Sequence, residues 1–249
     1  MTSATVVVKS PEPADIWTSS DEYARRFSGA VGDWFLKVQA ETTLRALERY
    51  SAARILDVGG GHGQLAGVLV DNGFEVTVLG SAEVCGERIR HLLTSGRCRF
   101  VTGDILSLPF PDRAFDVVIS YRLLSHVDEW ERFLAELSRV AECAVVVDYP
   151  SVRSLNCLYP YLFGLKRRLE GNTRHFRPFA ESWLSATFES CGFELVGRYP
   201  QFFLPMVFHR MVKSLRASLV IESFARRVGL TDLFGSPVVL QAARKETLR

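Results

Sequence analysis

The sequence lacks the features that mark several large classes of protein. Its five cysteines are scattered and include no C-x-x-C pair, so we expect reduced thiols in a cytoplasmic protein and no metal site. The 30 Lys and Arg residues nearly balance the 28 Asp and Glu residues, which gives no reason to expect a nucleic-acid partner. No apolar run reaches the roughly 18 residues of a membrane-spanning helix. The N-terminal stretch MTSATVVVKSPEPAD also lacks the long apolar region of a secretory signal.

Short runs of β-branched residues alternate with helical segments through the middle of the chain. This alternation predicts an α/β fold in which helices cover both faces of a mostly parallel sheet. We expect residues 1–14 to form a flexible tail and residues 15–249 a single domain. That domain would comprise a helical cap (15–50), a core (51–150) and a C-terminal segment with lid helices (151–249). The expected strands are 54–58, 74–79, 98–102, 115–120, 144–148, 193–199 and 237–243.

The stretch ILDVGGGHGQLAGVLV, residues 55–70, is an apolar run interrupted by glycines. It predicts a strand, a tight turn and the start of a helix, with which proteins hold a nucleotide-like cofactor. Residues 61–66 fit the dinucleotide pattern G-x-G-x-x-G/A, whereas residues 57–63 fit D-x-G-x-G-x-G. A dinucleotide site also needs an acid about 20 residues further on, and Gly80 stands there. This glycine and the lack of a Tyr-x-x-x-Lys pair disfavour a NAD(P)-dependent oxidoreductase.

Three segments together resemble class I S-adenosylmethionine-dependent methyltransferases, in particular the small-molecule and lipid-quinone type. They are RILDVGGGHGQLAGVLVDNGFEVTVLG, RFVTGDILSLPFPDRAFDVVIS and AVVVDYP, in this order along the chain. The resemblance implies a Rossmann-like seven-stranded sheet with the last two strands paired at one edge, a helical N-terminal cap and a C-terminal helical insertion. It also implies S-adenosyl-L-methionine as the cofactor and methyl transfer to a small-molecule or lipid-like acceptor.

The resemblance also implies roles for particular residues. Asp57 would orient the glycine turn and contact the ammonium group of the cofactor through the backbone or a water. Asp104 would accept a hydrogen bond from the adenine amino group, and Ile105 would pack beside the ring. Gly80 departs from the family, which usually has Asp or Glu there for the ribose hydroxyls, so Ser81, Glu83 or a water would have to substitute. The other expected cofactor residues are Gly59, Gly61, Gly63, Tyr121, Arg122, Tyr23, Arg25 and Phe27.

Three features outside the glycine turn have two interpretations each. His126, past the end of the fourth strand, is a candidate general base or a packing group. The cluster of Arg174, His175 and Arg177 would bind a carboxylate or phosphate of the acceptor, or form a solvated surface. Residues 206–221 predict a basic amphipathic helix, which would make a peripheral membrane contact or pack on the sheet as a lid. For the whole chain, the missing acid leaves open a non-catalytic scaffold that kept the fold.

Overall fold

The computed structural model describes residues 14–155 and 177–248, and a seven-stranded sheet lies at its centre. The strands are β1 (Arg54–Val58), β2 (Glu75–Gly80), β3 (Cys98–Thr102), β4 (Phe115–Ser120), β5 (Ala141–Tyr149), β6 (Phe193–Pro200) and β7 (Val238–Arg244). Their order across the sheet is β3-β2-β1-β4-β5-β7-β6. β7 is antiparallel to both of its neighbours, and the other pairs are parallel.

Helices lie on both faces of this sheet and at one of its edges. The α-helices are α1 (Ala14–Thr18), α2 (Asp21–Ala24), α3 (Gly29–Leu47), α4 (Ala66–Asp71), α5 (Arg90–Thr94), α6 (Trp130–Val140), α7 (Glu181–Ser190), α8 (Met206–Val212), α9 (Leu215–Arg227) and α10 (Leu230–Phe234). Short 3-10 helices span Arg25–Phe27, Gly60–His62, Glu83–Ile89, Leu124–His126 and Lys245–Leu248. None of the helices within the described ranges is both long and apolar enough to span a membrane.

The central strands are buried on both sides, and their sequences are therefore nearly continuous apolar runs. Along β1, Leu56 and Val58 pack on one face of the sheet and Ile55 on the other. Helices α3, α4 and α5 cover the face of Ile55. Helix α6 covers the opposite face with buried apolar side chains that recur at the helical period: Trp130, Phe133, Leu134, Leu137 and Val140.

The helical insertion between β6 and β7 lies at the same edge of the sheet as the carboxyl ends of the parallel strands. Tyr149, at the end of β5, pairs with Val238 at the start of β7, and Val238 pairs with Pro200 at the end of β6. A third apolar cluster joins the N-terminal helices to this insertion, and its buried members are Tyr23, Phe27, Val31, Phe35 and Phe202.

The predicted strands are confirmed to within one residue at each end, except that β5 begins earlier, at Ala141. The single helix predicted over 206–221 is wrong. The chain forms α8 and α9 instead, because Lys213 between them takes a left-handed conformation with φ of 52°. Residues 1–13 of the expected tail, and Arg174 and His175, lie outside the described residues.

Candidate cofactor site

The glycine turn follows β1 at the carboxyl edge of the sheet. β1 lies between β2 and β4, where connections leave in opposite directions and α/β folds bind ligands. Gly59 and Gly63 have φ values of 77° and 71°, a left-handed conformation that favours glycine. A Cβ atom on Gly61 would lie 2.2 Å from the carbonyl oxygen of Cys85. The close approach of the chain therefore requires the glycines that the sequence pattern singled out.

Asp57 lies directly beneath this turn and is fully buried. A Cβ atom on Gly60 would lie 2.0 Å from its Oδ2 atom. Neither carboxylate oxygen has a hydrogen-bond partner among the described residues, and burial raises the pKa of Asp57 to about 7. A buried carboxylate without donors is costly unless a ligand or water supplies them. Asp57 therefore fits a site for a ligand that carries N–H donors.

His62, in the same turn, is buried and its Nδ1 accepts a hydrogen bond of 3.2 Å from the backbone N–H of Gln64. Burial lowers its pKa to about 3, so the imidazole is neutral at physiological pH. It helps to hold the turn and is not a candidate proton donor.

Gly80, at the end of β2, has no room for the acidic side chain that the family resemblance leads one to expect. A Cβ atom there would lie 2.6 Å from Cβ of Cys85 and 3.1 Å from Cζ of Phe100. A carboxylate nevertheless reaches this strand end, and it belongs to Asp15 of α1. Its Oδ2 accepts a hydrogen bond of 2.6 Å from the backbone N–H of Ser81, and its Oδ1 accepts one of 2.7 Å from the Ser81 hydroxyl. No sequence pattern singles out Asp15, which precedes Ser81 by 66 positions.

Helix α1 and the residue after it cover the glycine turn. A Cβ atom on Gly59 would lie 3.6 Å from Cβ of Asp15, and one on Gly61 would lie 2.7 Å from Oγ of Ser19. Ala14 is buried in the same cluster as Leu79 of β2 and Leu123. The turn residues 59–62 are consequently buried in this conformation.

Asp104 and Ile105 follow β3, next to the end of β2. Asp104 is exposed, and its Oδ1 accepts a hydrogen bond of 2.8 Å from the backbone N–H of Leu106. Its Oδ2 accepts none from the part of the chain that the structure describes. Ile105 is buried against Leu79 and Leu123. The pair thus presents one free acceptor beside an apolar side chain, as the expected role in adenine recognition requires.

The side chains of Tyr121 and Arg122, which follow β4, lie in different parts of the structure. Tyr121 packs beneath α3, where its Oη lies 2.7 Å from Oγ1 of Thr43. This placement directs the Tyr121 side chain toward α3, and the expectation that Tyr121 flanks the sulfonium region of the cofactor stays a prediction. Arg122 has φ of 59°, and its guanidinium donates a hydrogen bond of 3.0 Å to Oε1 of Gln64 and lies 4.3 Å from the ring centre of Phe27.

Aromatic residues of the N-terminal cap pack together beside Arg122. Tyr23 and Phe27 are buried, and their ring centres are 5.6 Å apart. The Arg26 guanidinium lies 4.8 Å from the ring centre of Trp17 and 5.5 Å from that of Tyr23. Arg25 is instead exposed. The structure therefore brings Arg26, and not the expected Arg25, to this cluster.

His126 lies in the loop after β4 and is half-buried. Its ring centre is 5.6 Å from that of Trp17, which is edge-on to it. The backbone N–H of Arg177 donates a hydrogen bond of 3.0 Å to the carbonyl of the neighbouring Ser125. The loop that carries His126 is thus held by α1 on one side and by residue 177 on the other.

Comparison with known proteins relates this site to one family. Residues 56–143 match a family model described as a methyltransferase domain. A sterol 4-C-methyltransferase of Caenorhabditis elegans is 29% identical over 135 residues, which are 49% of this chain and 40% of that protein. A glycine/sarcosine/dimethylglycine N-methyltransferase of Actinopolyspora halophila is 31% identical over 131 residues, 51% of this chain and 20% of that protein. The chain therefore spans less than half the length of these curated relatives.

Solved structures extend the similarity over most of the chain. Magnesium protoporphyrin IX methyltransferase from Synechocystis PCC 6803, solved with bound SAH, superposes with a TM-score of 0.64. The match covers 92% of this chain and 97% of that one, at 17% sequence identity. At this identity the similarity establishes the fold, a Rossmann-like methyltransferase fold, and leaves the acceptor open.

Proposed function

We propose that this chain, which carries a class I S-adenosylmethionine-dependent methyltransferase domain, transfers a methyl group from S-adenosyl-L-methionine to a small-molecule or lipid-like acceptor. The observation that supports this most directly is the glycine turn at the centre of the sheet, with the unpartnered, buried carboxylate of Asp57 beneath it. This turn lies inside the segment that matches the methyltransferase family model.

The residues at the carboxyl edge fit the polar groups of this cofactor. Asp57 supplies a carboxylate that lacks donors, and the cofactor carries an ammonium group. Asp104 supplies an exposed acceptor for the adenine amino group, and Ile105 an apolar surface for its ring. Gly59, Gly61 and Gly63 would allow the methionine part to approach the backbone. We therefore propose that the cofactor is held by these turn and strand-end residues: Asp57, Gly59, Gly61, Gly63, Gly80, Ser81, Asp104 and Ile105.

Helix α1 affects this proposal because it lies on the surface that the cofactor would contact. Asp15 and Ser19 cover Gly59 and Gly61, so cofactor contact with the turn requires α1 to move outward. Tyr23, Phe27 and Arg122 pack next to α1 and would then close over the cofactor from the side of the N-terminal cap.

The sulfonium group of the cofactor activates the methyl group without help from the protein. The task of this chain is therefore to position the acceptor and to exclude water. His126 lies beside the aromatic ring of Trp17 and would take a proton only from an acceptor that must lose one. The relatives named above act, by their names, on a sterol and on small amino acids, which supports a small acceptor here.

Calorimetric titration with S-adenosyl-L-methionine, S-adenosylhomocysteine and NAD⁺ tests the proposal. We expect both sulfur ligands to bind and NAD⁺ not to bind. Asp104→Ala should weaken their binding roughly tenfold, since a hydrogen bond to a charged group contributes about 1.5–3 kcal/mol. Asp33→Ala is the matched control, because Asp33 is an exposed aspartate on α3. Binding of NAD⁺ alone would support an oxidoreductase, and no binding to the folded protein would favour the scaffold interpretation.

A further inference from the structure

The helices between β6 and β7 expose an unusually apolar surface, which we call the α8–α10 face and which spans residues 206–234. Nine large apolar side chains of this segment are exposed, against three in all other described parts of the chain. Val220 and Phe224 of α9 are 69% and 65% exposed. Met211 of α8 and Leu233 of α10 are exposed as well. An apolar surface of this kind marks a site of interaction.

The same face is positively charged. Lys213, Arg216, Arg226 and Arg227 are exposed, and none of them forms an ion pair with a described residue. Asp232 is the exposed acid among residues 206–234. Cations that flank apolar side chains complement a surface that offers both acyl chains and negative charge.

The opposite side of these helices packs against the cluster of Phe35 and Phe202, while most of the predicted apolar stripe is exposed. His209 of α8 is buried, with its ring centre 5.3 Å from that of Trp34. Glu222 of α9 is buried too, and it accepts hydrogen bonds of 2.9 Å from the backbone N–H groups of Phe203 and Leu204 and lies 3.0 Å from His209 Nε2. The inner face therefore combines the buried His209–Glu222 pair with Met206 and Leu215, which pack against the Phe35 and Phe202 cluster, and the nine exposed apolar side chains lie on the outer side.

A groove of about 440 Å³ separates α9 from α3 at the border of this face. Trp34, Val38 and Leu219 supply its apolar wall, and its polar lining is Glu222, Ser223, Arg226 and Arg227. Apolar walls with two guanidinium groups suit a lipid whose head group is an anion, because Arg pairs with phosphate oxygens.

We propose that the α8–α10 face docks the protein on a bilayer that contains anionic lipid. Phe224, Val220 and Leu233 would enter the interface, and Arg216 and Arg227 would pair with lipid phosphates. This inference rests on the proposed function for its biological sense: the face belongs to the insertion at the carboxyl edge of the sheet, where the glycine turn also lies. A lipid-like acceptor would then reach the site from the bilayer surface.

Cosedimentation of the full chain with vesicles tests the inference without cofactor or methyl transfer. We would compare vesicles of phosphatidylcholine with vesicles of phosphatidylcholine and phosphatidylglycerol in equal parts. The protein should bind the anionic vesicles, and binding should weaken as salt rises. Arg216→Gln combined with Arg227→Gln should lower the partition coefficient roughly 25-fold, since each cation near such a surface contributes a factor of about five.

Val220→Ser combined with Phe224→Ser should also reduce binding to anionic vesicles at least tenfold. The matched control is Trp183→Ser combined with Val196→Ser, which removes one aromatic and one valine side chain that are 52% and 40% exposed outside the face. All four side chains are exposed, so circular dichroism should show an unchanged fold. No binding to anionic vesicles overturns the inference. A dimer in solution that the Val220 and Phe224 changes dissociate would also overturn it, in favour of a second copy of this chain.

Failure of this test is separable from failure of the proposed function. Vesicle binding is measured without S-adenosyl-L-methionine, and calorimetric titration of the cofactor is measured without lipid. A protein that binds the cofactor and not the vesicles would keep the methyltransferase proposal and lose the membrane surface.

Discussion

Replacing Asp15 by alanine removes the carboxylate that fixes α1 to the end of β2. Both of its oxygens accept hydrogen bonds from Ser81, at 2.6 and 2.7 Å, and the side chain is fully buried. Because α1 lies on Gly59 and Gly61, its release uncovers the turn on which the cofactor is proposed to bind. We therefore expect Asp15→Ala to bind S-adenosyl-L-methionine more tightly than the wild-type chain.

The size of the effect follows from the two hydrogen bonds. A hydrogen bond to a charged group contributes about 1.5–3 kcal/mol, and the half-buried Ser81 would recover part of this loss by bonding to water. For the two hydrogen bonds together we therefore expect a net loss of about 1.5–3 kcal/mol. If the form in which α1 covers the turn predominates, the apparent dissociation constant falls by the same factor by which the population of the open form rises. Each 1.4 kcal/mol is tenfold, so the expected tightening is between tenfold and about a hundredfold.

Calorimetry of wild-type, Asp15→Ala and Asp15→Asn chains measures this change. The asparagine keeps one acceptor for Ser81 and should give an intermediate affinity. Hydrogen exchange of the amides of residues 59–63 should accelerate in Asp15→Ala without any ligand, which tests the covering role of α1 separately. Weaker binding by Asp15→Ala would refute the reasoning and would mean that Asp15 itself holds the cofactor in place of an acid at Gly80.

Two further predictions concern stability. Burial raises the pKa of Asp57 from 3.8 to about 7, so the folded state binds a proton that the unfolded state has lost, and the free energy of unfolding falls as pH rises between these values. Urea denaturation should show that the free energy of unfolding of the wild-type protein falls by about 3 kcal/mol relative to that of Asp57→Asn between pH 5 and pH 8, at ~1.4 kcal/mol per pH unit up to pH 7. Parallel pH profiles of the two proteins would contradict this. Glu222→Ala leaves the N–H groups of Phe203 and Leu204 without their acceptor and should cost at least about 2 kcal/mol in the same assay. Glu222→Gln keeps one acceptor oxygen and should cost less, and an alanine variant as stable as wild type would exclude a structural role for the carboxylate.

The sheet was predictable from the sequence because its determinants are local. Each central strand is a short β-branched run, and burial on both faces keeps that run apolar, as in β4 and β5. The glycine turn was predictable for a similar reason, since left-handed backbone at Gly59 and Gly63 leaves a mark in the sequence itself. Asp57 and Asp104 follow from the same pattern, because each lies at or just after a strand that the pattern identifies.

Side-chain direction and helix breaks were not predictable in this way. Tyr121 follows β4 as expected, yet its hydroxyl group finds a partner on α3, Thr43, that no nearby sequence indicates. In residues 206–221 the apolar spacing suits one helix, but the left-handed Lys213 ends it. Most of the apolar stripe then faces outward, while Glu222, further along the chain, pairs with His209 on the inner side.

Gly80 shows how a missing side chain can mislead when positions are judged one at a time. At the sequence level it favours a scaffold that has lost its cofactor, because the acid expected there is absent. In the structure Cys85 and Phe100 fill the space beside Gly80, and Asp15 brings a carboxylate to the neighbouring Ser81 from α1. The end of β2 therefore has a carboxyl group beside it, supplied by α1. The glycine alone is then no argument against cofactor binding, and the sign of the affinity change in Asp15→Ala decides whether that carboxylate covers the site or serves it.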